Sequence, residues 1–328
     1  MFKPHQLVFV FIAFILWLSP SISNNKPTAF AQSSTAERER GIAWFRQGEH
    51  SRAIANLKKV VKEDKKDYEA WRFLGLAQIQ IDDLKNATKS LQTAVTLRPD
   101  FAPAHVGLGY VALLQSKWPE AISEARLAVD LDPKIPEAHY VIGAASIRTG
   151  AREEAVKRAE AAMQLDPRYA AAYLLKSQAL VSYLNQNEIT DKRRAGYLEA
   201  ATYLEKYLEL EPDADYKQTW LSQIKNLRFY SSDPPFSGKF TRRATILARS
   251  EPAYTDDARN RRVTGTVILR CILAADGTVK HPLIIEGLPD GLTEASIAAV
   301  QRIKFNPALL DGKPVSTFVQ IEYHFHLY

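Results

Sequence analysis

The sequence predicts a multidomain protein, an all-α solenoid of helical repeats followed by a small α+β domain with a three-stranded antiparallel sheet and a helix. Three observations carry this. Prolines at 99, 133 and 167 recur every 34 residues and close similar phrases, AVTLRPD, AVDLDPK and AMQLDPR. A fixed period in this range marks stacked repeats. From Ser231 the text changes to SSDPPFSGKFTRRATILARSEPAY, whose prolines, serines and glycine break the helical period. The stretch VSTFVQIEYHFH, residues 315 to 326, then alternates in the period of a half-buried strand.

The chain begins with Lys3, an apolar run from Leu7 to Leu18, and small residues beyond it. That is the pattern of a secretory signal, with cleavage expected after Ala31 or after Ser23. Residues 1–31 are assigned as a signal peptide or an uncleaved N-terminal anchor. The run is shorter than the roughly 20 apolar residues a spanning helix needs. Contact with the inner membrane is expected only if the segment stays uncleaved. The single cysteine, Cys271, allows no intrachain disulfide. The net charge is +6, but basic and acidic residues are interspersed, so no nucleic-acid partner is expected.

Aligned on the prolines, one repeat places Trp71, Leu74, Gly75, Ala87, Leu91, Ala94 and Pro99 in order. The next places Leu108, Gly109, Ala121, Ala125, Ala128 and Pro133, and a third Ile142, Gly143, Ala155, Ala159, Ala162 and Pro167. Gly and Ala stand where two helices must approach closely, and Pro stops the second helix. A divergent first repeat fits Gly41, Trp44, Ala53 and Leu57; a fifth fits Tyr173, Ala200, Leu204 and Pro212. Its extra residues are expected to form a longer turn within 185–195. Trp220, Ile224 and Leu227 share one helical face, as a capping helix requires.

This array, residues 36–230, resembles the tetratricopeptide (TPR) family. The resemblance implies a concave groove lined by Ile42, Phe45, Leu76, Ile79, Val106, Tyr110, Leu113, Tyr140, Ile147, Leu174 and Val181, with Arg72 and Arg148 near it. Two readings stand: the groove holds peptide segments, or these side chains pack against neighbouring helices.

Residues 231–250 read as a linker, whose Lys239, Arg242, Arg243 and Arg249 read as a solvated basic stretch, with contact to an anionic membrane or an acidic partner as the alternative. Beyond it GTVILRCIL, the turn Asp276-Gly277 and TVKHPLII make a hairpin. LTEASIAAVQRI follows as a helix that Thr293 can cap, and a second Asp-Gly at 311–312 precedes the last strand. In that strand Val315, Thr317, Val319, Ile321, Tyr323 and Phe325 face one way, and Ser316, Phe318, Gln320, Glu322, His324 and His326 the other. One apolar face implies a sheet covered on one side, with edges able to accept another strand.

Residues 251–328 resemble the C-terminal domain of the TonB family of energy transducers. EPAYTDDAR, GTVILRCILAADGTV, GLTEASIAAVQRIKFNPALLDGKPV and IEYHF run in the family's order. The resemblance implies a periplasmic location in a Gram-negative-type cell, and docking on outer-membrane TonB-dependent transporters through the final strand. The implied docking edge is Val315, Thr317, Phe318, Val319, Gln320, Ile321 and Tyr323, where proline at 319 or 321 is expected to remove a donor. A repeat array stands where a transducer has its Pro-rich spacer, so a periplasmic scaffold or envelope-assembly adaptor remains the alternative. No cofactor, metal or enzymatic activity is expected. His324, His326, Glu322 and His281 read as a solvated sheet face rather than a zinc site, and Cys271 as a core thiol.

Overall fold

The computed structural model describes residues 29–184, 191–232 and 240–327. The apolar segment Leu7–Leu18, the expected cleavage site after Ser23, residues 185–190 and Lys239 lie outside them, whereas the expected site after Ala31 falls in the first turn of the first helix, which starts at Ala29. Among the described residues no helix is long and apolar enough to cross a membrane. The chain divides into two compact units, one ending at Leu175 and the other running on from Lys176.

The first unit holds α1 (Ala29–Arg46), α2 (His50–Glu63), α3 (Tyr68–Gln80), α4 (Leu84–Leu97), α5 (Ala102–Leu114), α6 (Trp118–Leu131), α7 (Pro136–Arg148) and α8 (Arg152–Leu165). Each helix packs on the next. The turn inside each pair needs a left-handed residue. Gly48, Asp82, Ser116 and Gly150, each 34 residues after the last, supply it with φ of 77°, 63°, 59° and 80°. The expected small residues sit in the seams: Ala87, Ala121 and Ala155 are fully buried. A Cβ on Gly75 would lie 2.6 Å from Leu91 Cγ.

The turn between pairs is tied by a ring donor. Trp71 Nε1 donates to the Lys65 carbonyl at 3.0 Å, and Tyr173 Oη donates to that of Pro167 at 2.9 Å. His105 and His139 place Nε2 2.9 and 3.2 Å from the carbonyls of Pro99 and Pro133. All four occupy one repeat position, six residues after the proline or its equivalent.

Helix α9 (Ala170–Tyr183) spans the division, and α10 (Asp191–Leu210) and α11 (Lys217–Ser232) belong to the second unit. Residues 191–195 already lie in α10, so the extra length of this repeat goes partly into a longer helix, not only a longer turn. Ser177 Oγ donates to the Ala200 carbonyl at 2.8 Å. There follow β1 (Thr245–Ala248), α12 (Asp256–Asn260), β2 (Gly265–Leu273), β3 (Val279–Glu286), α13 (Leu292–Val300), β4 (Lys304–Asn306), β5 (Ala308–Leu310), β6 (Lys313–Val315) and β7 (Thr317–Phe325).

The central sheet has the order β3-β2-β7, antiparallel throughout, with ribbons β1-β4 and β5-β6 beside it. One face carries Val267, Leu269, Cys271, Ile321, Tyr323 and Phe325 against Leu292, Ala299, Val300 and Ile303.

Several expectations are corrected. The stretch 231–250 is not all linker: Ser231 and Ser232 end α11, Thr241 and Arg242 bond Leu309, and β1 pairs with β4. The β-branched pair Thr245-Ile246 opens that strand. The second Asp-Gly turns β5 back onto β6, with φ of 51° and 80° at Asp311 and Gly312. Val315 is therefore held opposite Ala308, outside the final strand. In the first Asp-Gly only Gly277 takes positive φ, and the connection covers 274–278 rather than two residues. Thr293 does not cap α13; its hydroxyl donates to the Leu288 carbonyl at 2.7 Å and accepts from the Leu288 N–H at 2.8 Å. The sheet is also covered on both faces, because α10 and α11 pack on the second.

Candidate docking edge

Strand β7 pairs with β2 over its whole length, Gly265 opposite Phe325 through Leu273 opposite Thr317. Among the described residues no strand lies beyond it. In an antiparallel pair, alternate residues turn their N–H and C=O to the partner or away. The Glu322 carbonyl accepts from Arg249 Nη2, so the even-numbered residues turn outward. Both main-chain groups of Ile284, opposite Leu269, are bound outside the β2-β3 ladder, and this fixes the same phase. Phe318, Gln320, Glu322 and His324 thus present the edge, whereas Thr317, Val319, Ile321 and Tyr323 bond inward to β2.

This corrects the choice of proline probes. At 319 or 321 a proline would break the sheet's own ladder; at 318 or 320 it would remove an outward donor. Ile321 and Tyr323 also have buried side chains, and Val319 packs partly against the same core. Gln320 and His324 are exposed. A shallow depression runs along this edge, lined by Arg249, Glu251, Gln320, Glu322, Tyr323 and His324. The Arg249 guanidinium stands 4.5 Å over the Tyr323 ring, a cation–π contact.

The second face of the sheet was missed by sequence reasoning. Arg270, nearly buried, donates through Nη1 to Tyr197 Oη at 2.7 Å. Tyr230 Oη donates to the His281 carbonyl at 3.0 Å; burial pushes its pKa up, keeping the hydroxyl a donor. The Tyr230 ring stands 5.8 Å from Phe318. The available signal was Gln223, Asn226 and Tyr230 at helical spacing beside the apolar stripe Ile224 and Leu227.

His281 stacks on Phe229 with ring centroids 3.7 Å apart. His324 Nδ1 lies 2.9 Å from Thr266 Oγ1. Among the described residues no group of His, Cys, Asp or Glu is arranged to hold a metal. Cys271 is fully buried, and burial pushes its thiol up to about 12.

In the repeats, Phe45, Leu76, Ile79 and Tyr110 are buried in the core. Leu113 and Tyr140 pack against it partly buried, and Ile147 is half-buried. Packing therefore accounts for the first four. Arg72 lies buried over Phe73 at 4.6 Å, and burial lowers its pKa to about 10.

Residues 250–327 match the family described as Gram-negative bacterial TonB protein C-terminal. Residues 38–100 and 80–136 match the tetratricopeptide repeat. Protein TonB of Vibrio cholerae is 33% identical over 85 residues, 26% of this chain and 35% of that protein. Superkiller complex protein 3 of Homo sapiens is 27% identical over 88 residues, 27% of this chain and 6% of that protein. The chain thus spans little more than a third of the first relative and far less of the second. Among solved structures, TTC0263, a TPR protein of Thermus thermophilus, is 18% identical with a TM-score of 0.48. It covers 60% of this chain and 99% of its own. MamA from Desulfovibrio magneticus RS-1 is 22% identical with a TM-score of 0.43, covering 57% and 99%. The chain carries tetratricopeptide repeats joined to a TonB-type C-terminal domain, two modules that serve protein interaction.

Proposed function

We propose that this is an exported envelope protein that docks partners through the outward edge of β7 by strand addition. By its likeness to TonB, the partner is a short extended segment of an outer-membrane transporter, and the protein acts as a transducer or accessory of transport. The observation that carries this reading is that β7 is an edge strand with four outward-facing residues in a row of alternation. Main-chain bonds then supply affinity, and the exposed Gln320 and His324 lie beside the incoming chain. The repeats hold a second protein or peptide, with Leu113, Tyr140 and Ile147 as the less buried contacts.

The test places a photo-crosslinking residue at Gln320 of the full-length protein in its own host. Capture of an outer-membrane barrel through an extended segment is the expected result. Capture of soluble envelope proteins alone would replace the transport reading with that of a scaffold or assembly adaptor.

A further inference from the structure

Strand β3 is the sheet's other edge, and α11 lies along it. Gln223 holds both main-chain groups of Ile284: its Nε2 donates to the carbonyl at 2.9 Å, and its Oε1 accepts from the N–H at 3.0 Å. Those are the two bonds a neighbouring strand would make. Asn226 Nδ2 donates to the Pro282 carbonyl at 2.7 Å and Tyr230 Oη to that of His281 at 3.0 Å. Pro282 has no N–H to satisfy. A row of helix side chains thus stands where a strand would.

We infer that α11 is a built-in cap that closes the β3 edge, and that Gln223 decides which edge of the sheet a strand can join. Without it, the β3 edge takes the β3 edge of a second copy of this chain. Two copies paired antiparallel about Ile284 would restore, between chains, both bonds that Gln223 makes within one. The flanking Leu283 and Ile285 are apolar and the segment Pro282–Ile285 carries no charge, so no charge repulsion opposes such pairing once α11, held then only by Asn226 and Tyr230, swings off the edge. A sheet with two open edges would also take two strands instead of one. The consequence for docking rests on the β7 reading; the cap itself does not.

Amide hydrogen exchange of the full-length protein tests the cap. Ile284 is expected to be protected although its N–H faces out of the sheet. Gln223→Ala should speed its exchange about tenfold, the equivalent of one ordinary hydrogen bond. It should also add a concentration-dependent dimer in sedimentation, trapped by a crosslinker at Lys280. Gln223→Glu keeps the acceptor and should keep Ile284 protected, which separates a lost bond from a damaged fold. An unprotected Ile284 in the native protein, or unchanged exchange in Gln223→Ala, overturns the cap. Faster exchange with no dimer at high concentration overturns the second copy as occupant. Failure to trap any partner at Gln320 would leave Ile284 protection untouched, so the two readings fail separately.

Discussion

His105 Nδ1 lies 2.7 Å from Glu124 Oε2, while its Nε2 lies 2.9 Å from the Pro99 carbonyl. Both partners can only accept, so the ring is best satisfied as an imidazolium donating from both nitrogens. The Glu124 hydrogen bond is the largest influence and raises the pKa, against burial. One repeat later His139 holds the same position, but Arg158 stands where Glu124 did, with Nη1 3.2 Å from Nδ1. A guanidinium can only donate, so this Nδ1 accepts and the ring is neutral. Burial, the largest influence here, lowers its pKa.

The two rings therefore pull stability in opposite directions with pH. His105 has a folded pKa above the ordinary 6.5. Its contribution is full below that value and is lost as pH rises through the folded pKa. His139 has a folded pKa below 6.5. Its contribution is present above 6.5 and is lost as pH falls from there through the folded pKa. Ring titration by NMR should order the two accordingly. Glu124→Gln should cost about 1 kcal/mol on the acid side and less as His105 deprotonates, since Glu124 is partly solvated.

Proline scanning should read the phase of β7. Gln320→Pro is expected to keep the fold and lose partner capture, because only an outward donor is removed. Val319→Pro should lower stability by about 1–3 kcal/mol by stranding an acceptor on β2. Equal folding loss at both positions in urea titrations would contradict the assigned phase.

Gly75 and Gly107 both close on one side chain: an added Cβ would lie 2.6 and 2.7 Å from atoms of Leu91. Gly75→Ala should cost about 1–3 kcal/mol by overpacking. Leu91→Ala alone should cost about 2–5 kcal/mol. In the double variant the Gly75→Ala penalty should largely vanish, because the clashing atoms are gone. Denaturant midpoints of the four proteins measure that coupling.

Cys271 should be inert in the folded protein. Its thiol is buried and pushed up to about 12, so almost no thiolate forms at neutral pH. An aromatic disulfide reagent should label it only as the domain unfolds, and labelling rate against denaturant should track the unfolding curve. Fast labelling of the native protein would show an open route to the sheet's core.

The repeats were legible because their spacing is written in residues that do one job. Pro99, Pro133 and Pro167 end helices, and Ala87, Ala121 and Ala155 sit in seams too tight for more. The left-handed turns were harder to see, since between Gly48 and Gly150 the position is held by Asp82 and Ser116, which adopt positive φ without being glycine. The ring donors at 71, 105, 139 and 173 escaped notice because Trp, His and Tyr differ as types while each offers one hydrogen at the same reach.

By itself, then, the sequence determined the two modules, the period of the first and the alternation of the last strand, because these depend on neighbours close along the chain. Tertiary structure alone decided that Gln223 would close β3 and that the even residues of β7 would face outward. Each is set by which groups meet across long separations. Gln223 and Ile284 are 61 residues apart, and no local pattern records that an amide on a helix will satisfy the two main-chain groups of one residue on a strand.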